Sequence, residues 1–317
     1  MEGINNLGAT CAINSLIQII CRNERLRNVI LNANVDSNTF TGEFKEILDL
    51  IHNQHKSIYP AKFLNSFYNT FKGIFSRFEQ IDLNELWFYV FAKINEETSI
   101  PTKLLFETIT NLNEEHEYRI DIYNNKKTSE LLKLVQGSFI NIICCDNCKH
   151  KSYSFEPFIN ISLDIDTNSD NNLTIADLIS TFIKDEFREA DEWKCDKCFQ
   201  NCSYIKTNRI WKIPKVLLLS LNRFKDHNNK NNKEIFINDE LNFNKGSVLS
   251  INENCKFELQ AVGLHFGGLC GGHYTSACNM NNGNYHHYND DVINVISSND
   301  IKQILNKNGY LIIYENK

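Results

Sequence analysis

The sequence predicts an α+β protein, a helical lobe followed by an antiparallel β lobe, and three observations carry that reading. Apolar residues recur at helical spacing through the first 120 residues. From Tyr118 onward, runs rich in β-branched and aromatic residues alternate or lie unbroken between turn residues, as strands do. Two Cys-x-x-Cys pairs, Cys145/Cys148 and Cys195/Cys198, fall in that second half, where a shared metal ion would tie strand ends together.

The first element follows an Asn- and Gly-rich loop, Gly3-Ile4-Asn5-Asn6-Leu7-Gly8. Ile13, Leu16, Ile17 and Ile20 then mark a helix face, with Thr10 as its expected N-cap. Cys11 therefore stands in the first turn, where unpaired backbone N–H groups favour a thiolate. A small apolar residue buried at a helix start is the competing reading of the same cysteine. Residues 40–52 carry a second stripe at Phe44, Ile47, Leu48 and Ile51. Phe63, Leu64, Phe67, Phe71, Phe75 and Phe78 continue in mostly helical period. Asp82 can cap the next helix, with Glu85 three residues on completing a capping-box pattern.

Strands are expected at 118–122, 139–143, 153–158 and 159–165, then a helical insert at 175–187. Strand signals resume at 203–210, 215–222, 257–265, 273–279, 285–288 and 309–314. The Asn- and Lys-rich run 226–234 reads as a solvated loop. With no internal repeat and no long linker, residues 1–317 read as one domain.

At 42% hydrophobic and 23% charged, the chain has the composition of a soluble globular protein. A net charge of −6 provides no positive field for general nucleic-acid binding, and mild acidity suits a partner with basic segments. No apolar run reaches the length of a membrane span; the strand-sized run 213–221 contains Pro214 and Lys215. Eleven cysteines, an odd number, with no signal-peptide pattern ahead of them suit thiols kept reduced. The expected location is an intracellular reducing compartment, cytoplasm or nucleus, or those of a host cell for a parasite or virus.

Four thiolates from the two knuckles suit a tetrahedral structural Zn²⁺ with no open position, against the competing reading of paired disulfides. Cys144 and Cys202 beside them are taken as bystanders, Cys144 because it faces the other side of its strand. His273 follows Gly271-Gly272 and opens an apolar strand, a position from which an imidazole can take a thiol's proton. His265 lies on the preceding strand of the same hairpin, and with nine histidines in the chain any one of them can be incidental. Asn289 or Asp290, after Tyr285-His286-His287-Tyr288, can orient that imidazole, or the Asn-Asp-Asp run is simply a turn.

Together these stretches resemble the ubiquitin-specific protease family of cysteine-type deubiquitinases. The opening stretch through Gln18 is similar to the family's cysteine box, and Gly271-Gly272-His273-Tyr274 to its histidine box. Gln80-Ile81-Asp82-Leu83-Asn84-Glu85 resembles the Gln-Asp-Glu motif between them, and the knuckles fall where the family's zinc fingers do. Glu156-Pro157-Phe158, Ile161-Ser162-Leu163-Asp164 and Leu217-Leu218-Leu219-Ser220-Leu221-Asn222-Arg223-Phe224 also match, so the resemblance runs from residue 3 to the last strand. It departs at Ala12-Ile13, where the family usually has Tyr or Phe followed by Met.

The resemblance implies a papain-like cysteine protease shaped as a right hand. A helical thumb (1–120), β fingers with one structural zinc ion (121–212) and a β palm (213–317) would form a bare catalytic domain. It implies hydrolysis of the bond after the C-terminal Gly-Gly of ubiquitin, with ubiquitin and ubiquitinated proteins as partners and a monomeric enzyme. Cys11 would be the nucleophile, His273 the general base, Asn6 the oxyanion donor, and Asn289 or else Asp290 the residue orienting His273. Asp82 and Glu85 would hold ubiquitin's basic tail, His265 and Tyr274 would line its channel, and Cys145, Cys148, Cys195 and Cys198 would bind zinc. Two other functions use the same residues: a non-catalytic ubiquitin-binding module, or a thiol protease for a different modifier.

Overall fold

A computed structural model describes residues 2–53, 57–103, 108–166, 172–189, 193–224, 230–244, 247–249, 254–268 and 271–317. The first part is helical: α1 (Cys11–Arg22), α2 (Glu24–Leu31), α3 (Phe40–Asn53), α4 (Ala61–Thr70) and α5 (Leu83–Thr98). Then follow β1 (Ile100–Pro101), α6 (Leu112–Tyr123), β2 (Lys127–Thr128) and α7 (Glu130–Val135). The second part runs β3 (Gly137–Cys145), β4 (Lys151–Phe158), β5 (Ile161–Leu163), β6 (Leu173–Thr174), α8 (Ile175–Phe182), β7 (Glu186–Arg188) and β8 (Tyr204–Lys212). It continues β9 (Val216–Leu221), β10 (Ile235–Phe236), β11 (Glu240–Phe243), β12 (Cys255–Gly268), β13 (Gly271–Asn279), β14 (Asn284–Asn289), β15 (Val292–Ser297), α9 (Ser298–Asn308) and β16 (Gly309–Asn316).

Two sheets dominate. The larger follows the order β15-β14-β13-β12-β16-β9-β5, with β11 beside β12; all its pairs are antiparallel except β5 with β9. The smaller has the order β4-β3-β8-β7 and is antiparallel throughout. Strand β9 is buried on both faces, which its unbroken apolar run requires. Val216 and Leu218 pack among the thumb helices, whereas Leu217, Leu219 and Leu221 pack with α8 and α9 on the far side. The palm sheet is thus the middle of three layers.

Helix α1 lies between the layers, with eleven of its twelve residues buried. Fully burying each Ile or Leu there contributes roughly 1.5–3 kcal/mol, so its position is strongly held. A cluster of six phenylalanine rings, Phe40, Phe44, Phe63, Phe67, Phe71 and Phe75, packs α3 against α4 and the turn that follows. The fully buried guanidinium of Arg223 donates to the carbonyls of Gly309, Asn231, Lys233 and Asn306, pinning the chain after β9.

Three local expectations are corrected. Residues 118–122 are not a strand but part of α6: Asn111 accepts from Glu114 N, and that cap with acidic first-turn residues outweighs the apolar alternation. The helical insert ends at Phe182, and Glu186–Arg188 pairs with β8 as the edge of the smaller sheet. Thr10 precedes α1 but makes no side-chain cap; its hydroxyl accepts from Leu7 N and donates to Asn6 Oδ1. Of the expected solvated loop 226–234, residues 226–229 lie outside the described residues.

Candidate active site

Three segments converge at the rim of the palm: the start of α1 with Cys11, the start of β13 with His273, and the end of β14 with Asn289. The N-terminal segment holds them in place. Ile4 N donates to Asp290 O and Ile58 N to Gly3 O, so residues 3–5 are stitched between the β14–β15 turn and the segment before α4. Gly3 is required there, because a Cβ would lie 2.4 Å from Asp291 Cα.

His273 Nε2–H donates to Asn289 Oδ1 at 2.6 Å, which leaves Nδ1 to face the thiol of Cys11. The hydrogen bond with Cys11 raises His273 to about 9 against the opposing effect of burial, with the Asn289 bond and the Asp290 charge assisting. The ring therefore holds its proton at neutral pH. Tyr274 N–H also points at Cys11 Sγ, at 3.5 Å. The thiol, the imidazole and the carboxamide are thus neighbours, with His273 between Cys11 and Asn289.

Asp290 faces a different group. Its Oδ2 is 3.9 Å from His273 Nε2, but it accepts from Asn6 Nδ2 at 3.0 Å, while Oδ1 accepts from Asn14 Nδ2 at 2.8 Å. The Asn6 amide cannot be reversed, because its Oδ1 already accepts from Gly8 N, Thr10 N and Thr10 Oγ1. One Nδ2 hydrogen is thus spent on Asp290. Asn14 was not singled out from the sequence; its signal was a polar side chain one residue after Ile13 within a wholly buried helix.

The other expected residues form a wall beside this line. Asp82 caps α5, Oδ1 accepting from Asn84 N and Glu85 N, while Oδ2 accepts from the hydroxyls of Tyr274 and Tyr310. Glu85 is exposed. His265 is buried, packs on Tyr274 and Phe224, and is pushed down to about 4 by burial and then by Lys230, so it is neutral. A Cβ on Gly272 would meet His265 Nε2 at 2.1 Å, so the ring's close approach requires glycine. Gln80 closes the wall: its Nε2 donates to Gly272 O at 2.6 Å and its Oε1 accepts from Gly272 N at 3.0 Å. Gln80 and Tyr310 carried no assigned role in the sequence; a carboxamide 192 residues from its partner leaves no local pattern.

At the far end of the smaller sheet, the Sγ atoms of Cys145, Cys148, Cys195 and Cys198 all lie within 4.8 Å of one another. A tetrahedral Zn²⁺ with ~2.3 Å bonds sets sulfurs about 3.8 Å apart, and the 145–198 and 148–195 pairs stand at 3.9 and 3.6 Å. The two knuckles share one backbone design. Cys145 N donates to His150 O and Lys149 N to Cys145 O, just as Cys195 N donates to Gln200 O and Phe199 N to Cys195 O, and Lys149 and Phe199 take positive φ. The residues fit a structural zinc ion.

Comparison with known proteins places the fold and the family. "Ubiquitin carboxyl-terminal hydrolase 2" of Homo sapiens is 27% identical over 336 residues, covering 99% of this chain and 55% of that protein. "Ubiquitin carboxyl-terminal hydrolase 4" of Saccharomyces cerevisiae is 27% identical over 326 residues, covering 86% of this chain and 35% of that protein. The chain thus spans about half, or less, of these relatives. Among solved structures, a SAGA DUB module bound to ubiquitin aldehyde superposes with a TM-score of 0.77 at 20% identity, over 100% of this chain and 70% of that one. A SAGA DUB module bound to monoubiquitin gives 0.77 at 21%, over 100% and 69%. The family model described as "Ubiquitin carboxyl-terminal hydrolase" matches residues 2–314, and the chain belongs to that family.

Proposed function

We propose that the protein is a thiol-dependent deubiquitinase that hydrolyses the isopeptide or peptide bond after the C-terminal Gly-Gly of ubiquitin. The observation that carries this is the line of Cys11, His273 and Asn289. The Cys11 thiolate attacks the glycine carbonyl carbon, and the carbonyl electrons move to oxygen. Asn6 Nδ2–H and the Cys11 backbone N–H donate to that oxyanion, each such donor being worth about 10²–10³ in rate. As the C–N bond breaks, His273 gives its proton to the leaving amine; it then takes one from the water that opens the thioester.

Asn289 holds the imidazole in this reading, and Asp290 holds Asn6. Glu85 supplies exposed negative charge for ubiquitin's basic tail, with Asp82 contributing its charge from behind its hydrogen bonds. His265 and Tyr274, whose rings pack together, would line the channel for that tail. Four cysteines would hold one zinc ion that ties the finger strands together and takes no part in hydrolysis. Residues 1–317 act as one monomeric catalytic domain in a reducing intracellular compartment.

A ubiquitin probe with a C-terminal electrophile should form a covalent adduct mapping to Cys11 and none with Cys11→Ala. Folded, reduced protein that gains no adduct, or gains it at another cysteine, overturns the reading.

A further inference from the structure

Cys202 is the motif residue that neither the catalytic line nor the zinc tetrad uses. Its Sγ stands 3.2 Å from Cys145 Sγ, nearer than the 3.6 and 3.9 Å separations between tetrad sulfurs. The reason lies in the register. Cys145 on β3 is directly opposite Tyr204 on β8, and Cys202 precedes Tyr204 by two residues. Side chains two apart on an extended chain share a face, so Cys202 is delivered to the face of Cys145. The local backbone fixes it there, with Asp146 N donating to Ser203 O and Lys194 bridged to Asn201. Cys144, on the opposite face, meets only the carbonyls of Cys145 and Lys149. Cys202 therefore stands against the tetrad without being one of its four sulfurs.

A zinc ion with four thiolates has no place for a fifth. Beside a filled tetrad, Cys202 can only donate its S–H to Cys145 sulfur or react. Cys145 is fully buried, whereas Cys202 is partly exposed, so of this pair an oxidant reaches Cys202 first. We propose that Cys202 is an oxidation site that releases the finger metal by forming a disulfide with Cys145; this rests on the tetrad being a zinc site.

Hydrogen peroxide is the oxidant. Cys202 sulfur attacks one of its oxygens, the O–O bond breaks as the S–H proton passes to the departing oxygen, and Cys202 becomes a sulfenic acid with loss of one water. Cys145 sulfur then attacks the Cys202 sulfur, the S–O bond breaks, and hydroxide leaves to be protonated as a second water. The two sulfurs have lost two electrons and the peroxide has gained them. Cys145 can no longer act as a thiolate ligand, and the three remaining cysteines let the ion go. The switch would act on the fingers, apart from Cys11.

The test uses full-length Cys11→Ala protein as purified with zinc, so that the nucleophile consumes no peroxide. Hydrogen peroxide at low excess should release zinc to a chromogenic chelator, with a mass loss of about 2 Da and a mapped Cys145–Cys202 link. In Cys202→Ser the same protein should keep one zinc per chain, yet release it at least about tenfold more slowly, since no thiol is held beside Cys145. Equal release rates in the two proteins, or a disulfide mapped within the tetrad instead, overturn the inference and leave the zinc site standing. Protein that never carries zinc overturns the zinc site and the inference together.

Discussion

The catalytic cleft and the fingertip are both built from residues distant in the chain, but different physics holds each together. Cys11 and His273 sit on α1 and β13, elements whose backs are buried: eleven of twelve residues in α1, and Tyr274 through Cys278 in β13. Packing positions the elements that carry them. The fingertip has no such backing. In β4 only Phe158 is buried, β7 is exposed throughout, and Phe187, Ile205 and Tyr153 stand partly in water. What joins its knuckles is a cluster of sulfurs. The cleft is made by burial, whereas the tip gathers four sulfurs at the spacing a metal ion would hold.

Metal removal gives the largest contrast. Structural zinc sites contribute on the order of 10 kcal/mol to the fold around them. Chelation, or Cys195→Ser, should abolish amide-exchange protection near residues 145 and 204 and lower the melting temperature. Protection of α1 and of β12–β13 should persist. An equal loss in both regions would erase the distinction, and no change at the tip would remove the metal.

Within the cleft, the division of labour between Asn289 and Asp290 is the next test. Asn289→Ala should reduce turnover about 10²-fold and lower the His273 titration, because the Asn289 bond helps keep the ring charged; Asn289→Asp should restore both. Asp290→Ala should cost about 10²-fold through Asn6. In an Asn6→Ala background it should therefore cost little, since both changes remove one interaction. If Asp290→Ala retains its full effect without Asn6, Asp290 acts on the imidazole instead.

The same contrast explains what the sequence could disclose. Cys11, His273 and the four knuckle cysteines were legible because each stands in a short motif whose chemistry is local. The α+β division was legible too, since long apolar periods such as that of α1 dominate their neighbourhoods. Contacts made only by folding were not: Gln80 on Gly272, Asn14 on Asp290 and Cys202 on Cys145 each span 57 or more residues. The misread stretch at 118–122 failed for a related reason. Helix α6 has almost no one-sided apolar face, so its alternating residues resembled a strand while its Asn111 cap set the conformation.

The smallest effect concerns two histidines that titrate in opposite senses. His273, raised to about 9, adds stability that is complete below its unfolded value near 6.5 and is lost as pH climbs through 9. His116, where α6 meets the fingers, is 7% exposed, bonds Ser138 Oγ through Nε2 at 2.7 Å and packs on Phe155 and Trp211. Burial, and then the charge of Lys212, pushes it down to about 4. The unfolded chain therefore takes up this proton first as pH falls, so stability is intact above 6.5 and drains away towards 4. The loss should be on the order of 2 kcal/mol. Replacing the ring by His116→Phe removes the Ser138 bond at every pH but abolishes the titration. The stability difference between parent and variant should accordingly shrink from pH 7 to pH 4 in urea unfolding. A difference that stays constant across that range would mean the ring is charged in the folded protein, and the root of the fingers would then be no drier than their tip.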